Sequence, residues 1–387
     1  MLDRPTRAEI NLENIAHNMR EIRKRIGPGP EIMAVVKADA YGHGAERVSA
    51  TVLGNGATWL GVATVEEGVL LRKSGIIAPI LILGTIFPAQ ARRALRYGLT
   101  VTVSDYEFAE ALALCATQEG RKAKVHVKVD TGMGRIGVTP EDTVAFVKRL
   151  TALPNIEVEG IFTHFATADS DLGFARVQLH RFNKVITSLL ESGIKIPIRH
   201  AANSAAILNL PESYFNMVRA GIIIYGLSPF GSRRGMPLRT GPGSSSSHDP
   251  VMDLRPALSL KTRVAYVKRV PAGTPVSYGS TYVTNRATTI ATLPVGYADG
   301  LLRALSNKAH VLIRGGRYPV AGTICMDACM VDVGDLEVEV GDEAVLIGRQ
   351  GNEEISAEEV AEAAGTINYE IVCAISKRVP RVYSQDN

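Results

Sequence analysis

Between residues 31 and 225, short runs rich in Val and Ile alternate with longer amphipathic stretches. The runs read IMAVVK, WLGVA, ILIL, LTVTV, KVHVKVD, VEGIFTH, IPIRH and RAGIIIY. They are too short for core helices and are apolar at consecutive positions, as strands buried on both faces of a parallel sheet are. Stretches between them, such as 105–116 and 174–191, are amphipathic and of helical length. A strand followed by a helix, repeated over eight runs, predicts an α/β fold with an N-terminal (β/α)8 barrel of the TIM type, whose functional residues collect at the C-terminal strand ends. Lys37, Lys128, Asp130, His164 and His200 stand at those ends.

After Tyr225 the pattern changes. The segment GSRRGMPLRTGPGSSSSHDP has no hydrophobic period and predicts a long exposed linker. Beyond it, SLKTRVAYVKRV, TTIATLPV, HVLIRG and DEAVLIG read as strands between Gly/Pro turns, with a single short helix at 357–364. The expected organisation is a barrel domain over 1–240, its first residues free to pack on the second domain, and a mainly-β C-terminal domain over 241–387.

Composition narrows the function classes. With 46% hydrophobic and 21% charged residues, 387 residues suffice for one large and one smaller core. The net charge of +4 is scattered, which argues against nucleic acid or an anionic membrane as partner. No apolar stretch reaches membrane-spanning length, and MLDRPTRAEI lacks a signal-peptide core, so a cytoplasmic location is expected. Cys115, Cys325, Cys329 and Cys373 are spaced neither as a disulfide framework nor as a zinc site, so no metal is expected.

Lys37 ends the apolar run 32–36, where an amine would be partly desolvated. Desolvation lowers a lysine pKa and frees a nucleophile for imine chemistry. The run alone leaves open the alternative of a solvated strand-end lysine.

The motifs taken together resemble the alanine racemase family. In order they are AVVKADAYGHG, KVDTGMGRIGV, THFATAD, HAANSAA, FNMVRAGIIIYG, VSYGSTY, PVGYADG, GTICMDACM and TINYEI, spread over nearly the whole chain. Departures are Arg7, where the family often has tryptophan, and the long serine-rich linker. The resemblance implies pyridoxal 5'-phosphate as cofactor, joined to Lys37 as an imine, and interconversion of L- and D-alanine by two bases. Lys37 would serve one face of the substrate and Tyr278 the other. His164 and Arg219 would lower the Tyr278 pKa from its ordinary value near 10 through a hydrogen-bonded relay. Arg219 would face the pyridine nitrogen, where many enzymes with this cofactor carry a carboxylate. Asn203, Ser204, Gly221, Ile222, Tyr41 and Tyr369 would hold the phosphate. Arg135 would hold the cofactor's phenolic oxygen and the substrate carboxylate, with a backbone N–H from Met326. Lys128, close to Arg135, would be carbamylated. A homodimer with active sites shared between subunits, and D-alanine supply for the bacterial cell wall, also follow from the resemblance. A related racemase of serine or broad specificity, a fold-related decarboxylase and a non-enzymatic cofactor-binding barrel are the alternatives; Arg219 and the VSYG tyrosine weigh against the decarboxylase.

Overall fold

The computed structural model describes residues 4–231 and 252–384. The Ser-rich stretch expected to be a linker, and with it the boundary at 240/241, lies almost wholly outside the described residues.

The chain does not start in the barrel. Strand β1 (Arg7–Asn11) alternates half-buried and buried side chains, with Ala8 and Ile10 inward, and lies between Leu258–Arg263 and Arg381–Ser384 in the C-terminal sheet. Asn11 then accepts the N–H of Asn14 and caps the helix Leu12–Ile26.

Eight parallel strands follow and close on themselves: β2 (Glu31–Val35), β3 (Trp59–Val62), β4 (Ile80–Ile82), β5 (Thr100–Val103), β6 (Ala123–Lys128), β7 (Ile156–Phe162), β8 (Ile198–His200) and β9 (Met217–Ala220). The barrel closes where β2 pairs with β9. Each of the eight apolar runs supplies one strand. The last is corrected in part: RAGIIIY holds its strand only to Ala220, and Ile222–Tyr225 is a 3-10 turn with all four side chains buried. A fully buried apolar run has no periodicity to separate strand from helix, which is why the sequence reads it as extended.

Half of the barrel interior is apolar, with Met33, Trp59, Leu81 and Met217 packed together. The other half is not. His126, Lys128, His200 and Arg219, on β6, β8 and β9, are at most 3% exposed. Barrel interiors are ordinarily filled by branched aliphatic side chains, so four buried polar groups mark a site rather than a core.

The C-terminal domain is mainly β. A seven-stranded sheet runs Gly316–Pro319, His310–Ile313, Glu343–Gln350, Leu258–Arg263, β1 and Arg381–Ser384, with Glu353–Ile355 added beside Glu343–Gln350. A three-stranded sheet joins Tyr266–Val270, Thr288–Leu293 and Cys329–Gly334. The helix expected at 357–364 is Ala357–Ala364, and a second, Asn368–Ala374, follows it. Sequence reading missed the second helix because it has no side-chain cap; its signal is the spacing of Ile367, Ile371, Val372 and Ile375.

Candidate active site

A cavity of ≈ 680 Å3 opens at the C-terminal ends of the barrel strands, a size suited to a small-molecule ligand. Lys37, Tyr41, Lys128, Arg135, His164, Asn203, Ser204, Arg219, Gly221, Ile222 and Tyr369 all line it.

Lys37 follows β2 and begins an unusual turn. Ala38, Asp39 and Ala40 have φ 53° with ψ near 50°, and Tyr41 has φ 52°, so four non-glycine residues in a row are left-handed. Each costs about 1–2 kcal/mol against the right-handed form, so the turn must be held from outside. Glu67 accepts the N–H of Ala38 at 2.7 Å with one carboxylate oxygen and the N–H of Ala63 with the other. Asp39 accepts the N–H of Ala45, and Arg381 donates to the carbonyl of Gly42. A Cβ on Gly42 would stand 2.2 Å from the Val372 carbonyl oxygen, so the turn abuts the second C-terminal helix. Lys37 is half-buried; burial, and then the Arg135 charge, push its pKa down, with Glu67 and Cys373 opposing. More of its amine is thereby neutral at pH 7 than in a solvated lysine.

Arg219 is 3% exposed. It donates to His200 Nδ1 at 2.8 Å, to the Thr163 and Ala201 carbonyls at 2.8 and 2.9 Å, and to His164 Nδ1 at 3.2 Å. Burial and then Arg135 lower its pKa to about 9, so it remains a cation at pH 7. A guanidinium only donates, so both Nδ1 atoms it meets are bare and His164 and His200 carry their hydrogens on Nε2. Both are held well below the ordinary histidine pKa by burial and then by Arg219.

Lys128 is 1% exposed, and Nζ donates to the Val129 carbonyl at 2.9 Å. Burial, then Arg219, bring its pKa down to about 7, with Asp130 opposing and Arg135 adding to the fall. Asp130 accepts the N–H groups of Gly132, Met133 and Gly134 and so shapes the loop that carries Arg135.

The hydroxyls expected to hold a phosphate converge. A Cβ at Gly221 would lie 3.1 Å from Tyr41 Oη and 3.5 Å from Ser204 Oγ, so glycine leaves open a cradle that a side chain would fill. The Gly221 N–H donates to Ser204 Oγ at 2.9 Å, which leaves the serine O–H free to donate. Asn203 accepts the N–H of Ala206 as a helix cap. The residues present therefore fit a phosphate group.

Tyr278 and Met326 do not line this cavity. They lie on the C-terminal domain, 73% and 53% exposed. Ser277 donates to the Thr323 carbonyl and Thr323 Oγ1 donates to the Tyr278 carbonyl, which ties the two segments together. Within one chain the Tyr278–His164 relay is not made. Sequence reading gave no role to Glu67, Arg381 or His126, and noted His200 only as a polar strand end.

His43 sits below the left-handed turn, fully buried; its Nδ1–H donates to the Tyr41 carbonyl, and Nε2 has no hydrogen-bond partner among the described residues. Burial lowers its pKa to about 4. The unfolded chain takes up that proton near pH 6.5 and the folded one only near 4, so stability present above 6.5 is lost as pH falls through that window, by about 3 kcal/mol for this group alone. His126, His164 and His200 shift in the same direction. Thermal melts should therefore move steeply downward between pH 6.5 and 4, and His43→Gln should flatten part of that slope; a Tm independent of pH over the window would contradict the assignment.

Comparison with known proteins agrees with the geometry. A family model described as "Alanine racemase, N-terminal domain" matches residues 10–229, and one described as "Alanine racemase, C-terminal domain" matches 257–383. The chain is 52% identical over 382 residues to an alanine racemase of Symbiobacterium thermophilum, covering 98% of this chain and 97% of that one. It superposes with TM-score 0.91 and 41% identity on an alanine racemase of Clostridium difficile 630, covering 100% of this chain and 97% of that chain. A histidine racemase of Leuconostoc mesenteroides subsp. sake superposes at TM-score 0.87 with 30% identity, covering 100% and 99%.

Proposed function

The chain belongs to the alanine racemase family, and from that premise we propose that it interconverts L-alanine and D-alanine with two protein bases on opposite faces of the substrate. Membership makes it a pyridoxal 5'-phosphate-dependent racemase, an isomerase. Bound in the cavity, that cofactor supplies an electron sink that makes the substrate Cα–H acidic. The observation that carries the reading is the meeting in one cavity of half-buried Lys37 with Arg219, a cation among neutral histidines with no carboxylate bonded to it among the described residues. A fold-related decarboxylase would instead place a carboxylate there. Greater identity to alanine racemases than to the histidine racemase favours alanine as substrate.

Lys37 Nζ, with its lowered pKa, takes or returns the proton on one face. Tyr278 Oη serves the other. Because Tyr278 is exposed and outside the cavity of its own chain, it reaches the site from a second copy, in a homodimer with two shared sites. There the Nε2–H of His164, fixed by Arg219 on Nδ1, donates to the phenolic oxygen and orients it toward the substrate. Arg135 holds the substrate carboxylate with the Met326 N–H, and Tyr41, Tyr369, Ser204, Gly221 and Ile222 hold the phosphate, with Asn203 capping the helix that Ser204 begins. The product D-alanine would enter cell-wall peptidoglycan from the cytoplasm; no helix among the described residues is long and apolar enough to cross a membrane.

Purified protein should abolish the ellipticity of L-alanine and of D-alanine, and borohydride should fix a pyridoxyl group on Lys37, read by peptide mass. Fixation without loss of ellipticity would leave a cofactor-binding barrel and sink the racemase reading.

Lys128 is the carbamate site in this reading. With its pKa brought down to about 7, its amine is neutral far more often than that of a solvated lysine, so Nζ can bond the carbon of CO2 while one amine proton leaves to water. The resulting anion faces Arg135 and orients it. Protein in 13C-bicarbonate at pH 8 should show one carbamate resonance that is absent in Lys128→Ala, and CO2-depleted enzyme should lose activity that bicarbonate restores. No resonance at pH 8 would refute the modification.

A further inference from the structure

The interior of β6 and β7 holds a polar path that runs away from the cavity. His200 Nε2 lies 2.9 Å from His126 Nδ1, and His126 Nε2 lies 3.8 Å from a Glu159 carboxylate oxygen. Both rings are fully buried, and His126 Nε2 has no hydrogen-bond partner among the described residues. Glu159 is fixed from the other side by Lys124 at 2.8 Å and Thr100 at 3.3 Å.

Two features show that this path is built. The β6–β7 register passes from Val125↔Val158 to His126↔Gly160, so Glu159 is the extra residue of a bulge, a device that re-aims side chains. A Cβ at Gly160 would stand 2.5–2.7 Å from three atoms of the His126 ring, so that glycine makes the room the ring occupies.

Donor chemistry gives the path one direction. Arg219 cannot accept, so His200 Nδ1 is bare and its hydrogen is on Nε2. That hydrogen is donated to His126 Nδ1, which must then be bare, so His126 also carries its hydrogen on Nε2, facing Glu159. Reversing either ring sets N–H against N–H. Burial, then the Arg219 charge, hold His200 neutral; burial likewise lowers His126, against the pull of Glu159. The guanidinium has no carboxylate paired with it directly among the described residues, and this path leads from it to one.

We propose that Glu159 is a positioning residue for Arg219, acting through His126 and His200: its carboxylate faces the Nε2–H that the Arg219 donors leave on His126 and holds the two rings in line, so that His200 Nδ1 holds the guanidinium against the cavity. The catalytic half of this inference rests on the racemase reading above; the tautomers do not.

The test is 15N NMR of histidine-labelled protein, with and without cofactor, beside alanine kinetics, for the wild type, Glu159→Gln and Glu159→Asp. His126 and His200 should both show protonated Nε2 and bare Nδ1. In Glu159→Gln the His126 Nε2 and His200 Nδ1 resonances should move and kcat should fall roughly 3- to 10-fold with KM for alanine unchanged. Glu159→Asp should recover most of both. An Nδ1–H tautomer at either ring in the wild type overturns the proposal, as does a Glu159→Gln protein in which either the His200 resonance or kcat is unmoved. A protein inactive on alanine that shows both wild-type tautomers, with the Glu159→Gln shifts, would locate the failure in the substrate reading instead.

Discussion

Tyr278→Phe is expected to lower kcat by about 10^3-fold in both directions, the scale of one positioned acid–base group. Both directions fall together because inversion takes a proton from one face and returns it on the other, whichever enantiomer enters. One activity should survive. Lys37 still serves its own face, so in D2O the variant should exchange the Cα proton of one enantiomer for deuterium without inverting it. Mass spectrometry of recovered L- and D-alanine reads this directly; exchange of both enantiomers at equal rates, or full racemisation, would end the two-base reading.

Lys37→Ala is expected to cost at least about 10^4-fold, because it removes both the covalent anchor and the other base. Its larger use is in combination. Refolded as a 1:1 mixture with Tyr278→Phe, two nearly dead variants give half heterodimers. If each site joins Lys37 of one chain to Tyr278 of the other, one of the two sites in every heterodimer is intact, and the mixture should recover about one quarter of wild-type activity. Sites contained within single chains would recover nothing. The placement of Tyr278 outside its own chain's cavity favours recovery.

The barrel was legible because its strands are buried on both faces and so read as unbroken apolar runs, with cavity-lining residues falling at their ends. Strand β1 was not, since five residues of alternating pattern carry no mark of the distant partners, Leu258–Arg263 and Arg381–Ser384, that make them a strand. The motif residues were named through the resemblance, and those on the barrel line one cavity. What surrounds them was not. The left-handed form of 38–41 runs against the local preference of Ala and Tyr, Asp being more tolerant of it, and Glu67, Asp39 and Arg381 hold it. The bulge at Glu159 is likewise invisible, because register belongs to a pair of strands and to neither alone.

The grip of Arg381 on that turn has a consequence for the order of folding. Arg381 donates to the carbonyls of Gly42, Ile375, Ser376 and Val379, so a side chain near the end of the described residues joins the lysine-bearing turn to the C-terminal sheet. A ribosome delivers Lys37 more than 300 residues before Arg381. The lysine-bearing turn is therefore fully clamped only once the strand that carries Arg381 has joined the C-terminal sheet, which makes the shape of the barrel rim depend on the folding of a segment far away in the chain.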